Sequence, residues 1–78
     1  MKKYYTLLHF DTDLNKWLIV FGDYDLEIVQ EEQADIRMGL DVENRRYGNK
    51  HISYFQIIAT GDKQEDIQEK VNQINKTV

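Results

Sequence analysis

The chain has neither cysteine nor proline among its 78 residues. The first absence excludes disulfide staples and thiolate zinc sites. The second removes slow prolyl isomerisation from folding. Glycine is sparse, with four scattered residues, and no glycine-rich phosphate loop can be assembled from them. Long apolar runs are missing too, since nothing approaches the ~20 residues of a membrane-spanning helix. Lys2-Lys3 ahead of residues 4–10 imitates the start of a secretory signal. Thr6 and His9 interrupt that segment, however, and no small-residue cleavage site follows. The expectation is one soluble, cytoplasmic domain over residues 1–78, with about 3–5 kcal/mol available from a core of this size.

Basic residues are outnumbered. The net charge is −4 and the pI about 5.0, which argues against a general nucleic-acid binder with a broad basic face. The distribution is uneven. Between Asp23 and Glu43 eight acids face Arg37 alone, a local charge of −7. Arg45, Arg46, Lys50 and His51 follow, with no acid until Asp62.

What is present organises itself by periodicity. Residues 3–10 (KYYTLLHF) and 17–21 (WLIVF) read as strands joined by the polar turn 11–16, where Asn15 tolerates left-handed angles. Gly22 closes the hairpin, and Asp23 is the expected cap of a following helix. Leu26, Val29, Ile36 and Leu40 recur at helical spacing, and acids crowd the first turn. Gly39 sits where a C-terminal cap is expected. This predicts a first helix over 25–38. The competing reading makes Gly22-Asp23 a hairpin turn and delays the helix to Gln30. Residues 40–51 read as a polar connector with a Tyr47-Gly48-Asn49 turn. Residues 52–60 form a third strand. Asp62, with Glu65 three residues on, caps a second helix over 63–76 carrying the stripe Ile67, Val71, Ile74 and Val78.

The order β-β-α-β-α predicts an α+β fold. Its simplest form is a two-layer, three-stranded sheet of order 2-1-3 with two helices on one face. All three strands are largely apolar on both faces. Strands of that kind are normally covered on both sides, so the open face calls for a second copy, as in a homodimer, or for a protein partner; the equal alternative is a solvated face tiled by Tyr and Thr.

Catalytic and metal motifs fail on spacing. Asp11-x-Asp13-x-Asn15 begins like a calcium loop, but Lys16 and Gly22 stand where glycine and glutamate are required. His9 and His51 share no ligand spacing with each other. The paired carboxylates Asp23/Asp25, Glu31/Glu32 and Asp62/Glu65/Asp66 read as caps and solvated helix faces rather than an acid–base pair. Thr6, Thr12, Ser53, Thr60 and Thr77 form no nucleophile elbow. The reading is a non-enzymatic protein that needs no cofactor and no metal.

Two surfaces remain as binding candidates. Asp23, Asp25, Glu27, Glu31, Glu32 and Asp35 form an acidic surface suited to a basic groove, in the manner of a nucleic-acid (DNA) mimic. Arg45, Arg46, Tyr47 and Lys50 interleave cations with an aromatic, the pattern for backbone contact plus base stacking. The second reads first as an ordinary basic loop. The segment W-x-x-x-F-G-D-Y-D from Trp17, with Val29, Glu31, Asp35 and the later Val71-x-x-Ile74-Asn75, resembles short uncharacterised phage and prophage proteins. The likeness covers residues 4–75 apart from 41–51. It implies a mobile-element origin and a host protein as partner, bound stoichiometrically in the host cytoplasm by an inhibitor, for example of host defence. It carries no catalytic residues.

Overall fold

A computed structural model describes residues 3–47 and 54–77, with the side chains of 43–47 outside that description. Five elements follow in order: β1 (Tyr4–Asp11), β2 (Lys16–Asp23), α1 (Leu26–Tyr47), β3 (Phe55–Thr60) and α2 (Gln64–Lys76). The sheet order is β2-β1-β3, with β1 antiparallel to both neighbours. The class, the strand order and the packing of the helices on the sheet are as expected.

The hairpin turn is built as its residues suggest. The Asp11 carboxylate accepts the backbone N–H groups of Asp13 and Leu14 at 2.9 and 3.0 Å. Asn15 takes the left-handed conformation, with φ 55°. The strands it joins are not in simple register. Leu8 opposes Ile19 and Leu7 opposes Phe21, so Val20 is an extra residue bulged out of β2. Phe21 thereby pairs with the residue set opposite to that of Trp17 and Ile19, which strict alternation had grouped with it.

Leu7 and Leu8 are both completely buried. Adjacent strand residues point to opposite faces, so both faces of the sheet are covered. Leu8 packs with Ile58 and Val71, and Trp17, Ile67 and Ile74 close around them. This is the α2 face. On the other face, which carries Leu7, His9 and Phe55, the Arg37 guanidinium of α1 lies 5.6 Å from the Phe55 ring centre. Phe55 also meets the His9 ring at 5.0 Å. The helices therefore divide between the faces instead of sharing one, and the open face expected from the two-faced strands is occupied by α1.

α1 departs most from expectation. It passes through Gly39 without ending and continues to Tyr47. Residues 40–47, read as a connector, are helical. Gly39 has no neighbour within 4 Å of a built Cβ, so neither packing nor a left-handed turn demands glycine there. Its cap is Asp25, whose carboxylate accepts Glu27 N–H at 2.9 Å. Asp23 stands one step back and accepts Asp25 N–H at 2.8 Å. The expected Gly48-Asn49 turn and the first residues of the third strand, Ile52 and Ser53, lie outside the described residues. At α2 the cap position is Lys63, with no side-chain hydrogen bond. Asp62 instead accepts the Tyr24 hydroxyl at 3.2 Å.

Candidate functional site

The six acids named from the sequence do not form one row. Asp23 is half-buried, and both Asp23 and Asp25 commit an oxygen to backbone N–H groups. Glu32 is half-buried on the flank of α1. Glu27, Glu31 and Asp35 are exposed and recur every four residues, which places them along one line of the helix about 6 Å apart. Val29, Ile36 and Leu40 mark the opposite, inward stripe, with Val29 fully buried and the other two half-buried. Like charges four residues apart cost a helix a few tenths of a kcal/mol per pair. The positive N-terminal end of the helix dipole offsets part of that cost for Glu27, in the first turn.

The same outer face carries exposed apolar side chains. Ile28, Met38 and Val42 are 42%, 65% and 55% exposed. An acidic row therefore runs into an apolar stretch along one helix.

Of the basic candidates, Arg45, Arg46 and Tyr47 fall in the last turn of α1, where cations favour the negative end of the dipole. Lys50 and His51 lie outside the described residues. Acidic and basic candidates are thus set toward opposite ends of one helix. No group of three or more His, Asp or Glu side chains is placed to hold a metal among the described residues. No described helix is long and apolar enough to cross a membrane.

Sequence reasoning missed a cleft of about 440 Å³ between the β2 edge and the start of α2. Its described walls come from β1, β2 and α2, with Tyr24 and Asp62 from the junctions beside them. Tyr4 stands at the start of β1, and its ring meets that of Tyr24 edge-on, with centres 5.1 Å apart. Gly22 makes this possible. A Cβ there would come within 2.7 Å of the Tyr4 ring carbon Cε2, so any larger residue would displace the ring. The Tyr24 hydroxyl donates to Asp62. Ring packing partly desolvates that phenol, and the charge of Asp62 and the bond donated to it act in the same direction. Together they raise the Tyr24 pKa above the usual 10.0. Thr6, 1% exposed, also lines the cleft, and its hydroxyl has no hydrogen-bond partner among the described residues. The sequence signal was G-D-Y-D itself: a tyrosine held between two capping aspartates next to a glycine.

A larger hollow of about 660 Å³ lies over α2, but side chains of that one helix supply its whole lining. Among the described residues it has no wall from a second element.

No protein family, curated protein or solved structure matches the chain.

Proposed function

We propose that this chain is a non-enzymatic binding module that docks the outer face of α1 onto a basic surface of a protein partner. The observation that carries this reading is the exposed row Glu27, Glu31 and Asp35, set opposite the buried stripe and continued by exposed Met38 and Val42. Carboxylates in a row attract a basic groove at long range and speed encounter. The neighbouring apolar side chains supply area to bury once contact is made. The likeness to phage proteins supports a host protein as the partner and a stoichiometric inhibitor as the mode of action. A partner that itself binds nucleic acid would make the row a phosphate mimic.

The test is capture from a lysate of the source cells, comparing the native chain with a Glu27→Lys/Glu31→Lys/Asp35→Lys variant of unchanged circular dichroism. The expected result is loss of the captured protein with the variant, and displacement of it from the native chain by rising salt. Equal capture by both chains overturns the reading. Exposed Ile28, Met38 and Val42 also fit self-association through α1. Light scattering over a range of concentrations decides that second reading, because a monomer throughout excludes it.

A further inference from the structure

The cleft beside Tyr24 has the chemistry of a receptor for a planar cation with an apolar stem. Its rim carries the Asp62 carboxylate, of which the Tyr24 hydroxyl uses one oxygen. A carboxylate has acceptor capacity for several donors. Two tyrosine rings stand beside it, and aromatic faces attract cations, a guanidinium above all because it also stacks. Ile19 and Ile67 supply apolar wall, which suits the methylene stem of a long basic side chain. The Thr6 hydroxyl is buried without a partner among the described residues. A buried orphan of this kind is costly, and a donor that reaches it removes the cost.

We infer that this cleft is an arginine pocket: it takes the side chain of an arginine presented by the protein partner, with the guanidinium between Asp62 and the tyrosines and the stem along Ile19 and Ile67. This rests on the reading that the partner is basic; the cleft lies on the α2 face of the sheet, so the arginine comes from a part of the partner other than the one that meets α1. A lysine would satisfy the charge but not the stacking or the forked donor geometry.

The probe is acetyl-arginine methylamide, titrated into the isotopically labelled full chain and followed by amide chemical shifts. The expected result is saturable shifts at Thr6, Tyr24 and Asp62, weaker binding of the lysine equivalent, and none of the uncharged citrulline equivalent. Asp62→Asn removes a charge-assisted bond, which should weaken binding roughly tenfold or more. Thr6→Val keeps the shape and removes the hydroxyl, so it should weaken binding while raising the urea midpoint. A merely structural threonine would lower that midpoint and leave arginine affinity alone. Absence of saturable shifts, equal binding of citrulline, or equal binding of lysine overturns the assignment. The α1 charge-reversed variant separates the two readings. If it loses its partner while the native cleft ignores arginine, the surface reading stands and the pocket falls. If arginine binds but partner capture survives the reversal, the pocket stands and the surface falls.

Discussion

The two helices solve different problems. α2 is short, and its stripe of Ile67, Val71 and Ile74 closes over Leu8, Ile58 and Trp17. Its other side is polar, and its end is tied to the sheet by Asn75. α1 is 22 residues long, about 33 Å, against about 27 Å for an eight-residue strand. Val29 is its one fully buried described residue, while Met38 and Val42 are exposed. A helix that only had to cover Leu7 could be shorter and more polar outside. The difference sets the larger described core cluster on the α2 face and leaves α1 with the more exposed apolar side chains.

The contrast can be broken by mutation, most sharply at the core. Leu8→Ala should cost about 2–5 kcal/mol, enough to unfold much of a domain this small, whereas Met38→Ser and Val42→Ser should change stability by no more than about 0.5 kcal/mol. Urea denaturation measures all three. A large loss at Met38 would show that α1 is packed where it is here exposed.

Asn75→Ala should come next, at about 1–3 kcal/mol. The Asn75 side chain accepts Trp17 N–H at 2.7 Å and donates to Trp17 C=O at 3.2 Å, so its loss leaves two backbone groups unpaired. Gly39→Ala works in the opposite direction. Nothing crowds the site, and alanine in a helix interior gains about 1 kcal/mol over glycine. A thermal melt should rise by several degrees. A fall would mean that Gly39 has a neighbour in an assembly.

The smallest effect concerns Tyr24. Its pKa is raised in the folded chain above 10.0, so the folded state holds the proton more tightly than the unfolded state. That contribution is complete below pH 10.0 and is lost as pH rises through the folded value. The urea midpoint of the native chain should therefore fall more steeply above pH 10.0 than that of Tyr24→Phe. Parallel curves would remove the Asp62 coupling.

The sheet order was legible because its signals are local. A polar turn with Asn15 joins two apolar runs, and a helix must bring the third strand back beside the first. Three features were not. The bulge at Val20 is one extra residue inside an apolar run and leaves no compositional trace. Gly39 looked like a stop, yet glycine ends a helix only where the chain turns left-handed, and nothing downstream forces that turn here. The division of the helices between faces was implicit in Leu7 and Leu8, both apolar and adjacent. Helix count alone does not reveal it, since two short helices are also enough to cover one side. Of the candidate site, the acidic row was half visible: spacing alone separates Glu27, Glu31 and Asp35 from Glu32. The cleft was invisible, because Tyr4, Tyr24 and Asp62 lie far apart in the chain and two of them sit where turns and caps were expected.

The Asn75 bond to Trp17 has one more consequence. The segment 17–21 is W-L-I-V-F, five uncharged apolar residues on an edge strand, the composition that seeds stacking of strands from one molecule to the next. Asn75 occupies the outward hydrogen-bonding groups at the start of that segment, and the bulge at Val20 interrupts its regular spacing further along. An incoming strand meets a plugged socket followed by a kink. The helix that completes the core thus also acts as a stopper against fibre growth, and a chain that loses α2 locally exposes its most adhesive edge at the same moment.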